Sequence, residues 1–160
     1  MRKVSIKRNP NGDTRTAPKN VTHEEFHSAN IDHISDVNHV MEEVGEAIKA
    51  MGEEHDWTKL SYEDLFYKNF LSTINDGTDF VSDEWYQKHI ILERHHLCNR
   101  CPDDVNLLDV IEMIVDCVCA GKTRSGNLSV PRLSDEILQK AFDNTIKLID
   151  DNTEYLVEKG

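Results

Sequence analysis

From Thr22 onward, apolar residues recur at helical spacing. Ile31, Ile34, Val37, Val40, Met41, Val44, Ile48 and Met51 form the apolar side of one long amphipathic helix. Thr22-His23-Glu24-Glu25 ahead of it fits a capping box, in which hydroxyl and carboxylate each take the other residue's amide. Ser61 can cap a second segment reaching Phe70, and Asp83 a third, from Glu84 to about His96. Pro102-Asp103-Asp104 opens a fourth, Val105 to Ala120, with Gly121 as the predicted stop. Ser134 starts a last amphipathic helix, from Asp135 to about Glu158.

Before Thr22 the pattern changes. Val4-Ser5-Ile6-Lys7-Arg8 and Asp13-Thr14-Arg15-Thr16-Ala17 flank Asn9-Pro10-Asn11-Gly12, and Asn-Gly is a strong hairpin signal. The expectation is an all-α domain over residues 21–160 with a short basic N-terminal β-hairpin arm over residues 1–20.

Composition narrows the function classes. A chain of 160 residues is long enough for one domain with its own core. The formal charge of −12 argues against strong binding to a nucleic-acid backbone. Small phosphorylated ligands stay open, because bound divalent cations would supply local positive charge. No apolar run is long enough for a membrane span, and the first residues lack a secretory signal's apolar stretch, so a cytoplasmic protein is expected. Cys98, Cys101, Cys117 and Cys119 form two tight clusters, which in that compartment are expected to stay reduced.

The chemistry lies in the histidines and in apolar-flanked carboxylates. His33 phases with Val37, Val40, Val44 and Met51, whereas His39 points to the polar side. Trp85, His89, Leu92 and His96 follow i, i+4, i+7 and i+11, with Glu93 close to that stripe and His95 to one side. Asp109, Glu112 and Asp116 share a stripe among Val, Ile, Leu and Met, where an unpaired carboxylate would be costly. His55-Asp56 comes from the end of another helical segment. A divalent cation neutralises such carboxylates and uses neutral imidazoles, so a metal site is expected.

The order His33 … His55-Asp56 … Asp116 resembles the H…HD…D signature of the HD-domain metal-dependent phosphohydrolase superfamily. His55-Asp56-Trp57-Thr58-Lys59 is similar to the HDxxK variant that holds two metals. Trp85-x-x-x-His89, Arg94-His95-His96 and Ile111 to Asp116 resemble an HD-like family common in phages and bacteria. The resemblance implies a first metal on His33, His55, Asp56 and Asp116, with Asp56 bridging to a second on His89 and on His95 or His96. Lys59 would face substrate phosphate or a bridging hydroxide. Glu93 and Glu112 would orient ligands or relay protons, and Lys122 and Arg124 would add substrate contacts.

The function expected on this basis is hydrolysis of a phosphate ester or anhydride of a small nucleotide, with two divalent ions among Mn, Fe, Co, Ni, Zn or Mg. Homo-oligomer formation is compatible with it, in a bacterial or phage-infected cell. Three alternatives stand beside it. Met41-Glu42-Glu43-Val44-Gly45-Glu46 resembles half of the MazG-type pyrophosphohydrolase motif, although Glu42 and Glu46 phase to the polar side. The two-metal HDxxK arrangement is shared by di-iron oxygenases. A non-catalytic protein could use the same pocket to sequester a nucleotide.

Overall fold

Thr22 caps the first helix as its sequence predicts. In the computed structural model, which describes residues 1–156, the Thr22 amide and hydroxyl both donate to Glu25 Oε2 at 2.8 Å. The Glu25 amide returns a hydrogen bond to Thr22 Oγ1 at 3.2 Å. Helix α1 runs from His23 to Glu54. It is followed by α2 (Trp57–Ser61), α3 (Glu63–Asp76), α4 (Glu84–Leu92), α5 (Leu107–Arg124) and α6 (Asp135–Asp151). The architecture is all-α with one small sheet made from the two ends of the described chain. No helix among the described residues is long and apolar enough to cross a membrane.

The β-arm exists, but its partner differs from the predicted one. Strand β1 (Val4–Lys7) pairs in parallel with β2 (Thr153–Leu156), Val4 opposite Thr153 and Lys7 opposite Leu156. The expected hairpin turn does not form, because Asn9 accepts the Asn11 amide at 3.4 Å and residues 10–12 close as a 3-10 turn led by Pro10. A two-residue hairpin would need positive φ at its centre. The second predicted strand is a turn, with the Thr16 and Ala17 amides donating to Asp13 O at 3.1 and 2.8 Å. At the other end, α6 stops at Asp151 instead of Glu158. The Asn152 and Thr153 side chains donate to the carbonyls of Leu148 and Ile149 at 2.7 and 2.8 Å, and the chain then extends. Positions 157 and 158 of that predicted helix lie outside the described residues.

The described residues form two compact units. One comprises Met1–Lys49 with the segment from Ile146; the other is Ala50–Thr145. In the first, Arg2 pairs with Glu43 at 2.7 Å, and the Asn9 amide group donates to Asp32 at 2.7 Å. These contacts, with the β1–β2 pairing, tie the N-terminal segment to α1 and to the end of α6.

The second unit has a small core of Leu97, Val105, Val110, Met113 and Ala141. Beside it, Phe66 stacks on Trp85 with centroids 3.8 Å apart, and Trp85 stacks on His89 at 4.7 Å. Asn106 caps α5 in a full capping box with Asp109, two residues after the predicted start. Leu107 donates its amide to Thr145 Oγ1 at 2.8 Å, fastening that helix end to α6. Helix α5 passes through Gly121 and ends at Arg124. Gly121 serves close packing: a β-carbon there would lie 2.5 Å from the Asn127 carbonyl oxygen. The left-handed residue after the helix is Gly126, at φ 73°.

Two further boundaries differ from the sequence pattern. The segment predicted from Ser61 to Phe70 is instead the end of α2 followed by α3, which continues to Asp76 before Gly77 at φ 70°. Helix α4 ends at Leu92, because Glu93 turns extended at φ −94° and ψ 120°. His95 and His96 therefore leave the helix, and the predicted i+11 phasing of His96 does not apply.

Candidate metal centre

The chain breaks from helix to helix at His55-Asp56. Asp56 adopts the left-handed conformation, φ 56° and ψ 27°, between α1 and α2. On an unbroken helix adjacent side chains diverge by about 100°; the left-handed residue removes that constraint and both side chains face one space. His55 Nε2 lies 3.2 Å from Asp56 Oδ2 and 3.5 Å from Asp116 Oδ1 on α5. Lys59, on the first turn of α2, donates to the same Asp56 Oδ2. Asp56 Oδ1 points the other way, 3.4 Å from His89 Nε2 and 3.7 Å from His95 Nε2.

Three anchors hold the His95-His96 turn against these groups. Glu93 accepts both the Thr58 amide, at 3.0 Å, and the Thr58 hydroxyl, at 2.6 Å. Arg94 clamps the buried Asp109 through Nε and Nη2 at 2.7 and 2.9 Å and reaches Asp104 at 3.0 Å. Leu97 inserts into the core. Asp109, on the carboxylate stripe of α5, thus belongs to Arg94 and to the helix cap, where Asp109 Oδ2 accepts the Asn106 amide at 2.9 Å.

Three overlapping groups result: Asp56, His89, His95 and His96; His55, His95 and Glu112; and His55, Asp56 and Asp116. In each, one ligand atom per residue lies within 4.8 Å of the others, so each group could hold a metal ion. The outward nitrogens of two rings are already occupied. His55 Nδ1 sits 2.9 Å from Glu112 Oε1, and His89 Nδ1 sits 2.6 Å from Thr58 Oγ1. His95 Nδ1 is 3.3 Å from Glu112 Oε1 but outside hydrogen-bonding alignment. Both His95 nitrogens and Asp56 Oδ1 are buried without a hydrogen-bond partner among the described residues. His89 Nε2 and His96 Nε2 face each other at 2.8 Å. That contact is a hydrogen bond only while one of them carries a proton; two bare nitrogens at that distance would repel each other.

Electrostatics favour neutral imidazoles at two positions. Burial, reinforced by neighbouring histidines, pushes His89 and His96 down from 6.5 to about 4. Burial also acts against charge on His95, but the Glu112, Asp56 and Asp116 carboxylates outweigh it and raise its pKa. Asp56 is buried enough to be pushed up, yet the hydrogen-bonded Lys59 ammonium and the adjacent histidines hold it below the ordinary carboxylate value. Glu112 behaves alike: burial opposes its ionisation, and its contacts with His95 and His55 prevail to lower its pKa.

Of the predicted residues, His55, Asp56, His89, His95, His96 and Asp116 come together, with Glu112 behind two of the rings and Lys59 on Asp56. Glu93 acts one step further out, through Thr58. His33 belongs to none of the ligand groups. It keeps the predicted side of α1, lining a groove with Ile6, Val37 and Val40, but it is exposed there. His33 belongs to the compact unit Met1–Lys49, whereas every member of the three ligand groups belongs to the unit Ala50–Thr145. Lys122 and Arg124 are exposed in the last turn of α5, where cations complement the helix dipole. No cysteine belongs to the groups, and all four cysteines are free thiols. Sequence reasoning missed Thr58, the buried side chain linking α2 to both His89 and Glu93. Its only sequence signal is its place within the His55-Asp56-x-x-Lys59 stretch.

A model described as a family of unknown function, DUF5662, matches residues 22–159, and the chain belongs to that family. No curated protein and no solved structure matches it.

Proposed function

We propose that this member of the DUF5662 family binds divalent metal at the His55-Asp56 turn and hydrolyses a phosphate ester or anhydride of a small nucleotide. The observation that carries the metal assignment is the pair of unsatisfied buried groups, Asp56 Oδ1 and the His95 ring, set among other imidazoles. Leaving such atoms without partners is costly, and cation coordination removes the cost. The two Asp56 oxygens face different groups, Oδ1 toward His89 and His95 and Oδ2 toward His55. Two ions would find their donors there, one among His89, His95 and His96 and the other among His55 and Asp116, with Asp56 offering an oxygen to each group. The phosphohydrolase reading rests on the likeness of the His55-Asp56 … Asp116 order to the HD signature.

Bound divalent ions would supply Lewis acidity, acidifying water and polarising a phosphoryl oxygen. The protein's own residues do the rest. Glu112 holds His55 through its Nδ1, turning Nε2 toward Asp56 and Asp116. Lys59, with a side chain 31% exposed, brings a positive charge to the open side of Asp56, where an anionic substrate would approach. The glutamates of the MazG-like stretch have other occupations: Glu42 accepts from Asn38 at 2.8 Å and Glu43 pairs with Arg2.

The test is metal analysis of the purified protein, followed by a nucleotide panel with Mn²⁺, Co²⁺, Fe²⁺ and Mg²⁺. Phosphate release that disappears in His55→Ala and Asp56→Ala, together with loss of metal and a retained helical circular dichroism signal, is the expected result. Turnover retained in those variants overturns the assignment. Pyrophosphate release with Mg²⁺ would support the MazG-type activity instead, oxygen consumption an oxygenase, and tight nucleotide binding without product a sequestering protein.

A further inference from the structure

We propose that Thr58 is a positioning residue: held by Glu93, its hydroxyl fixes His89 in the Nδ1–H tautomer, so that the bare Nε2 faces Asp56 and His96. The inference rests on the metal reading above for its purpose, though not for its geometry.

Thr58 is fully buried, and Glu93 and His89 are nearly so. Both hydrogens that Thr58 can offer, from its amide and its hydroxyl, reach the same Glu93 Oε1, at 3.0 and 2.6 Å. The amide is one of the first-turn donors of α2 that no helical carbonyl can satisfy, so the Glu93 carboxylate caps that turn. A hydroxyl has one hydrogen and two lone pairs. With its hydrogen committed to Glu93, Thr58 Oγ1 can only accept at its other contact, His89 Nδ1, 2.6 Å away. A neutral imidazole carries one N–H, so a proton on Nδ1 leaves Nε2 bare.

The geometry around His89 makes that choice consequential. The ring stacks on Trp85, tilted only 16° from it, which fixes its plane but not which nitrogen holds the proton. Nε2 is the nitrogen that faces Asp56 Oδ1 at 3.4 Å and His96 Nε2 at 2.8 Å. In the opposite tautomer, a hydrogen would occupy the position a cation needs. Carboxylate partners behind a metal-binding histidine commonly set its tautomer, and losing such a partner weakens metal binding on the order of 10- to 100-fold. Here the carboxylate acts through an interposed threonine. Valine matches threonine in shape and lacks the hydroxyl; serine keeps the hydroxyl and lacks the methyl group.

Two measurements on the full chain test the inference. In the first, the protein is labelled with ¹⁵N-histidine, stripped of metal and examined by long-range ¹H–¹⁵N correlation near pH 7.5. His89 is expected as the Nδ1–H tautomer in the parent and in Thr58→Ser, and as Nε2–H or a mixture in Thr58→Val. A parent His89 protonated at Nε2 overturns the proposal without any variant having to fold. The same holds for a folded Thr58→Val that keeps Nδ1–H. In the second, Co²⁺ is titrated and followed by its visible absorption. Thr58→Ser should bind like the parent, and Thr58→Val about 10- to 100-fold more weakly, with the metal-free helical signal retained in both. Equal Co²⁺ affinity in Thr58→Val overturns the positioning role. A parent that shows the Nδ1–H tautomer but binds no Co²⁺ sinks the metal reading and the purpose assigned to Thr58, while the tautomer assignment stands.

Discussion

Asp56 is the one non-glycine residue at positive φ among the described residues. The left-handed conformation costs an ordinary L-residue roughly 1–2 kcal/mol, and Asp is among the side chains that visit it most readily. That conformation turns an adjacent His-Asp pair, which a helix would splay apart, into two ligands sharing one space. Asp56→Gly and Asp56→Ala both remove the carboxylate and the Lys59 pairing, but only glycine is at ease at φ 56°. In chelator-treated protein, Asp56→Gly is therefore expected to exceed Asp56→Ala in stability by about 1 kcal/mol. Urea unfolding checks this, and equal midpoints would mean that the turn stores no strain. The dipeptide stood out in the sequence because of its residue types. The turn did not, since Glu53-Glu54-His55-Asp56-Trp57 carries no Gly, Pro or Asn to announce it. Thr58 was hidden for another reason: what makes it matter is Glu93, 35 residues away, a contact no local pattern encodes.

Among the helices, boundaries set by local chemistry were legible and those set by distant contacts were not. The Thr22 capping box lies where the residues predict it, and α4 starts directly after Asp83 as predicted, although the Asp83 side chain makes no capping hydrogen bond. The end of α4 does not, because Glu93, Arg94 and Leu97 are each claimed by Thr58, Asp109 or the core, and these contacts hold the chain extended where propensity would continue the helix. The same limit hid the partner of β1, which lies at the opposite end of the described chain. The sequence pattern makes Gly121 a helix stop, whereas it is a helical residue whose missing β-carbon admits the Asn127 carbonyl. Gly121→Ala is thus expected to destabilise the protein by roughly 1–3 kcal/mol through overpacking. Gly45, within α1, has open space where a β-carbon would go. Gly45→Ala should stabilise by roughly 0.5–1 kcal/mol, the ordinary helical preference of alanine over glycine. Opposite shifts of the two urea midpoints would establish the close approach at Gly121; two stabilising substitutions would refute it.

At the scale of the whole molecule, the cluster couples stability to pH and to metal. His89 and His96 titrate near 6.5 in an unfolded chain and at about 4 in the folded protein. Between those values the unfolded state binds protons that the folded state refuses, so their contribution is complete above about pH 6.5 and is lost as pH falls toward 4. The lowered pKa values of Asp56 and Glu112 extend the loss in the same direction at more acidic pH. His95 opposes them: its raised pKa gives stability on the acid side that disappears as pH rises through it. Two histidines and two carboxylates against one histidine make acid destabilising for the metal-free protein. Metal adds a second dependence of the same sign, because a cation and a proton compete for each ring nitrogen. At a free Mn²⁺ concentration 100 times its dissociation constant, binding to the folded state alone should add about 2.7 kcal/mol near pH 7.5. Urea unfolding at pH 7.5, 6 and 5, with Mn²⁺ and with chelator, separates the two effects. The chelated protein should weaken steadily toward pH 5, and the Mn²⁺ increment should shrink over the same interval. An increment that survives unchanged at pH 5 would place the metal on carboxylates rather than on His89, His95 and His96. Rising stability of the chelated protein between pH 7.5 and 5 would show that His95 outweighs its neighbours.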